Sequence, residues 1–119
     1  SLALHDEVAA HIGQPVYLTH FPLNALPTHR ASPMAVLDLH PPCRGKGEGV
    51  RVLRELYGIE PGEVVAVGDA TNDLPMFAAA GLAVAMETGM PEAVAMADRL
   101  LPHNEGTAIA ELVAELFPA

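Results

Sequence analysis

Asp69, Asn72 and Asp73 follow directly on the apolar run Val64-Val65-Ala66-Val67, which Gly68 closes. Two carboxylates and a carboxamide at this spacing can bring oxygen ligands to one point. Like charges so placed repel. At an effective dielectric near 20, two unit charges ~4 Å apart cost about 4 kcal/mol. Unless they spread into solvent, a cation must sit between them. With no Cys or His beside them, such oxygens favour a hard ion, Mg²⁺ before Zn²⁺. Asp69 and Asp73 are therefore candidate metal ligands. A capping Asn and a solvated Asp at a turn would account for Asn72 alone, but fit the whole G-D-x-x-N-D set less well.

The second candidate is Lys46, the single lysine of the chain, set among Gly45, Gly47 and Gly49. A Walker-type phosphate loop needs Ser or Thr after the lysine, where Gly47 stands. A dinucleotide fingerprint needs a glycine where Val50 stands. A solvated lysine at a helix start would be electrostatically ill placed. His29-Arg30 could meet an anion, but reads more simply as a solvated loop pair.

The elements that must position these residues can be read from periodicity. Val64 to Gly68 is expected to be a short strand buried on both faces. Asn72 is expected to cap a helix that holds Asp73 in its first turn, tolerates Pro75 and ends at Gly81. The site then lies where a parallel strand hands over to a helix, the edge at which open α/β sheets bind ligands. Lys46 begins a helix with apolar face Val50, Leu53, Leu56 and Tyr57, stopped by Gly58. Elsewhere, Ser1–Ile12 reads as a helix, Pro15–Thr19 as a strand, His20–Pro33 as irregular and Met34–Leu39 as a strand. Leu82–Met86 follows as a strand, a helix runs from Pro91 to Met96 or Ala97, and Asp98–Leu101 reads as a short strand. After the loop His103-Asn104-Glu105-Gly106, a last helix should bury Ile109, Leu112, Val113 and Leu116.

The stretch GDATNDLPMFAAAGLAVAM resembles the fourth motif of the haloacid dehalogenase (HAD) superfamily, in its Cof-like sugar-phosphatase branch. Branches acting on sucrose phosphate or mannosyl-phosphoglycerate share the GD..ND spelling. The likeness runs from about Met34 to Leu116. It implies an α/β fold, the back half of a Rossmann-like core with parallel strands, plus the tail of an α/β cap domain. Residues 1–41 would be the cap remnant and 42–119 the C-terminal half of the core. Lys46 matches the family's third motif by its Lys-Gly and its spacing to Asp69. There it would offset charge on nucleophile and phosphate. Asp69 would be the direct Mg²⁺ ligand and Asp73 a ligand or water-holder. Asn72 would orient Lys46 or the phosphate.

Two departures stand out. The family's Gly-Asn-Ala after Met86 is here Glu87-Thr88-Gly89, with Glu87 expected to face solvent. The loop between Asn104 and Gly106 is trimmed. The family's nucleophile motif, D-x-D-x-T, occurs nowhere in the sequence: Asp6, Asp38 and Asp98 each lack the second Asp and the Thr. The family reaction is phosphoryl transfer through an aspartyl-phosphate, so the chain alone is expected to be inactive. Starting at Ser1 fits a processed or trimmed product. The strand carrying Asp69 would then present an unpaired edge, inviting the missing half or a second copy.

Composition narrows the classes. The 119 residues carry a formal charge of −9, which argues against nucleic acid as a partner. No apolar run approaches the ~18 residues of a membrane span and no leader pattern appears, so a cytoplasmic setting is expected. The single cysteine, Cys43, excludes an internal disulfide and a cysteine zinc site. The expected partner is a small phosphorylated metabolite. Two other readings stay open: a non-catalytic acidic module binding a divalent metal for interaction or regulation, and a core-only HAD enzyme acting on nucleotides or sugar acids. The strand-rich first 41 residues argue against the latter.

Overall fold

A run of small and apolar residues in Leu82–Met86 makes β4, and the two buried clusters of the C-terminal two thirds pack against its two faces. In the computed structural model, which describes residues 2–43, 45–103 and 106–119, β4 is the middle of a three-stranded parallel sheet. Its order is β3 (Val65–Gly68), β4, β5 (Arg99–Leu101). Val65 lies opposite Leu82, and Val84 opposite Arg99. Side chains alternate across the sheet, as the pleat requires. On one face Ala66, Ala83 and Ala85 meet Phe77 and Ala93 from the helices α3 (Leu74–Ala79) and α4 (Pro91–Met96). On the other, Val84 and Leu101 meet Ala108 and Leu112 of α5 (Ala108–Leu116), with Val65, Val67 and Met86 packed around them. Alanines on the first face let two short helices sit close over the strand ends.

The N-terminal third forms a separate layer. Helix α1 (Leu2–His11) precedes a two-stranded antiparallel sheet, β1 (Tyr17–Pro22) against β2 (Ala35–His40). Their register sets Tyr17 opposite His40 and Thr19 opposite Asp38. Between them, Leu23–Ala25 and Pro27–His29 make single 3₁₀ turns, so the segment expected to be irregular is strand and tight turn. His29 and Arg30 are both exposed there, away from the site residues. Helix α2 (Lys46–Tyr57) links the layers. It is entered through Gly45, whose φ of +55° few other residues adopt, and left through Gly58 in the left-handed region.

Three expectations are corrected. First, β3 is not buried on both faces. It is the outer strand, and only Ala66 along it is buried. Second, of the face expected for α2, only Val50 is buried; Leu53, Leu56 and Tyr57 are exposed. Between α2 and β3 lies an open apolar groove of about 310 Å³, lined by Val50, Leu53, Ile59, Val64, Val65 and Met76. Third, α5 buries Ala108 and Leu112 with Leu116 packed against them, while Ile109 and Val113 face solvent. The buried stripe thus steps by four residues through Ala108, Leu112 and Leu116. In the loop before α5, Asn104 and Glu105 lie outside the described residues, as does Ser1.

Leu112→Ala should cost about 3 kcal/mol, read from urea unfolding, since Leu112 is 2 % exposed. Leu56→Ala, at a position 72 % exposed, should stay within about 0.5 kcal/mol. A large loss at Leu56 would show that the α2 face is covered in solution.

Candidate active site

Strand β3 ends at Gly68, and the chain turns at once. Residues Thr71–Asp73 make a 3₁₀ turn that runs into α3 with Pro75 in its first turn. The residue that organises this turn is Asp73 and not Asn72. Asn72 makes no capping bond; it lies half-buried beside Lys46 in a cleft. Asp73, 3 % exposed, accepts the backbone N–H groups of Asp69 at 2.8 Å and Ala70 at 3.1 Å on Oδ2. Its Oδ1 takes the Lys46 ammonium. The carboxylate fits here because residue 68 is glycine: a Cβ there would lie 2.5 Å from the Asp73 Cγ. A short side chain reaching back over the strand end thus satisfies donors that a turn this tight leaves without backbone partners.

Electrostatics follow from those contacts. Burial pushes the Asp73 carboxyl upward. The bond from Lys46 and the two backbone N–H groups outweigh it and hold the group below its ordinary value of 3.8. Lys46 stands at the first position of α2 with its side chain half exposed. One side of its ammonium is fixed by Asp73, which leaves further donors for an anion arriving from solvent.

Asp69 is exposed, and its carboxylate has no hydrogen-bond or ion-pair partner among the described residues. Its backbone is pinned instead. The carbonyl accepts Met90 N–H at 2.7 Å, and a Cβ on Gly89 would lie 2.9 Å from that oxygen. The loop that departs from the family spelling therefore still serves the site by backing Asp69. Glu87, exposed, turns away to accept the His103 N–H at 3.0 Å.

Among the described residues no group of three or more His, Cys, Asp or Glu side chains is placed to hold a metal. An ion at Asp69 would take only part of its oxygen shell from this chain. The other expected ligand, Asp73, already has donors on both carboxylate oxygens.

Several neighbours of the site carry no motif. Tyr17 reaches from β1 to the start of α2, where its hydroxyl would meet a Cβ on Gly45 at 2.6 Å. Burial, then Cys43, push its hydroxyl above the usual range; Lys46 opposes and Asp73 adds to the shift. Thr71 Oγ1 donates to the His20 carbonyl at 3.2 Å, tying the turn to β1. The cleft between hairpin and core, about 340 Å³, is bordered by Tyr17, Thr19, Asp38 and His40 on one side. Cys43, Gly45, Lys46 and Asn72 border the other. Strand alternation could have grouped Tyr17 with Thr19, but nothing local to the sequence shows that their face meets Lys46.

Residues 18–113 match the family model described as haloacid dehalogenase-like hydrolase. The chain belongs to that family. Among curated relatives, 5-amino-6-(5-phospho-D-ribitylamino)uracil phosphatase YwtE of Bacillus subtilis is 32 % identical over 82 residues, covering 69 % of this chain and 29 % of that protein. Phosphoglycolate phosphatase of Methanopyrus kandleri is 39 % identical over 72 residues, 60 % of this chain and 31 % of that protein. The chloroplastic endoribonuclease YBEY of Arabidopsis thaliana is 35 % identical over 78 residues, 66 % of this chain but 13 % of that protein. The chain thus spans a third or less of each of these relatives. A haloacid dehalogenase-like hydrolase from Bacteroides thetaiotaomicron superposes with a TM-score of 0.66 at 27 % identity, over 98 % of this chain and 40 % of that one. These matches fit the Cof-like branch of that family and the α/β fold described above.

Asp73→Asn tests the anchor. A carboxylate depressed in the folded state stabilises it above pH ~4, and that contribution fades as pH falls through the folded value. The variant should lose about 2 kcal/mol at pH 7. Its stability should also fall less between pH 5 and 2 than that of the parent chain, measured by urea unfolding across that range.

Proposed function

We propose that this chain supplies the metal-and-lysine side of a Mg²⁺-dependent phosphomonoester hydrolase acting on small phosphorylated metabolites. The observation that carries this is the Lys46–Asp73 pair at the carboxyl end of β3, near an exposed Asp69 and with Asn72 lining the same cleft as Lys46. In this reading residues 1–41 are the remnant of a cap and 42–119 the back half of the core. A cytoplasmic setting goes with it, without nucleic acid or membrane as partner.

The chemistry is an in-line displacement. An aspartate oxygen attacks phosphorus as the ester P–O bond breaks, and the leaving alkoxide takes a proton. Water then attacks the aspartyl-phosphate and frees inorganic phosphate. The nucleophile belongs to a D-x-D-x-T segment that these 119 residues do not contain. Lys46, held in place by Asp73, offsets charge on the transferring phosphoryl group. Asn72 orients that group or the lysine. Asp69 offers its free carboxylate to the cation, with Asp73 holding the turn beneath it or a water. When bound, Mg²⁺ would neutralise the phosphoryl oxygens and align them with the nucleophile.

The outer edge of β3 and the groove beside α2 would receive the half that carries the nucleophile, or a second copy of this chain. A non-catalytic acidic module that binds a divalent ion is the second reading, favoured by the absence of D-x-D-x-T from the sequence. Finding that motif upstream in the same gene decides for the enzyme.

Two measurements test the proposal. Mg²⁺ titrated into the chain should shift the amide resonances of Asp69 and its neighbours, and Asp69→Asn should abolish those shifts. Purified chain should not hydrolyse phosphate monoesters. Turnover that follows the protein through purification would overturn the division of labour proposed here.

A further inference from the structure

Asn72 lines the cleft beside Lys46, yet among the described residues its side chain has no hydrogen-bond partner. It is therefore only as well placed as the backbone that carries it. That backbone is held from both sides. After Asn72, the Asp73 carboxylate takes the Lys46 ammonium and the N–H groups of Asp69 and Ala70. Before it, the Thr71 hydroxyl donates to the His20 carbonyl at 3.2 Å, across 51 positions of the chain. The first anchor belongs to the core. The second reaches over to β1, and among the described residues no other hydrogen bond joins β1 or β2 to the core.

Little else supports this junction. On one flank of β1 lies the cleft with Lys46, about 340 Å³. On the other lies an open cavity of about 360 Å³, between His5, Leu18 and His20 on one side and Thr71, Leu74 and Glu92 on the other. Strand β1 thus rests on the turn Thr71–Asp73 with space to either hand. The remaining close approach, Tyr17 to Gly45, meets the start of α2 and not the turn. Threonine suits the task at 71. Its branched Cβ restricts χ1, so the hydroxyl is presented in few directions and little rotamer freedom is lost when it bonds.

We propose that Thr71 is a positioning residue. By tying the acidic turn to β1 it fixes where Asn72 stands relative to Lys46, and so how well the two together engage a phosphoryl group. Thr71 acts through its neighbour and needs no contact with substrate. This rests on the phosphatase reading of Lys46 and Asn72, and the test separates the two. It needs no turnover, because it measures binding of inorganic phosphate to the 119-residue chain in the presence of Mg²⁺. The backbone amide of Lys46 and the side-chain amide protons of Asn72 are followed by NMR.

In the parent chain both signals should move along one binding curve. Thr71→Val keeps the shape and removes the donor. It should weaken phosphate roughly fivefold, the effect of one neutral hydrogen bond, and the Asn72 side-chain signals should move less at saturation. Thr71→Ser restores the hydroxyl and should recover both. Shifts induced at Asp69 by Mg²⁺ alone should be the same in all three proteins, because Asp73 and Met90 hold that backbone. If they vanish in Thr71→Val, the whole turn has given way and the local role is refuted. Equal phosphate binding in all three, or a Thr71→Ser protein as weak as Thr71→Val, also refutes it while the phosphatase reading stands. If the parent chain itself fails to bind phosphate, the phosphatase reading falls and this inference with it.

Discussion

The ion pair between the Lys46 ammonium and the buried Asp73 carboxylate ties together three separate elements of this molecule. One oxygen of that carboxylate closes the turn after β3; the other holds the first residue of α2. Strand end, turn and helix start are thereby set relative to one another by a single side chain. Removing two charges from water is costly unless the geometry is good and the remaining lone pairs are used. Here both oxygens have donors, and the lysine keeps half its side chain in solvent. Gly68 and Gly47 are the steric conditions for this arrangement. The first leaves room for the carboxylate; the second lets α2 approach the Pro75 carbonyl so closely that a Cβ would lie 2.6 Å from it.

This explains why the acidic site survives although two carboxylates stand four residues apart. Their roles are divided. Asp73 is neutralised within the protein, so it does not compound the repulsion at Asp69, whose charge stays exposed and uncommitted. The backbone of Asp69 is held from two sides, by the Asp73 carboxylate at its N–H and by Met90 at its carbonyl. Only its side chain is left to respond to a ligand.

Much of the parallel sheet was legible in the sequence because its strands are short apolar runs bounded by glycine and proline. Leu82–Met86 was expected with the boundaries found, and the helix from Pro91 ends at the first of its two expected positions. What could not be read depends on partners distant along the chain. The expected faces of α2 and β3 assumed an element between them that these residues do not provide. Asn72 looked like the cap because its type favours caps; Asp73 took the donors because Gly68 opens space above the strand end, a fact of three dimensions. Lys46 could be paired with the acidic turn by resemblance and spacing. Tyr17, Thr19, Asp38 and His40 could not be tied to it, since only the packing of the hairpin on the core brings them there. Periodicity shows which residues share a face and is silent about what that face meets.

The strand order β3-β4-β5 has a consequence for how this sheet comes into being. Each strand lies beside the one made just before it, so none has to be threaded between strands already paired. During synthesis the sheet can grow outward in one direction as the chain emerges, with each crossover helix closing over the last pair. Of its two edge strands β3 is the older, and the acidic turn sits at that strand's tip. Any polypeptide that annealed there would meet a finished surface, and would need to bring only its own edge and its own reactive end.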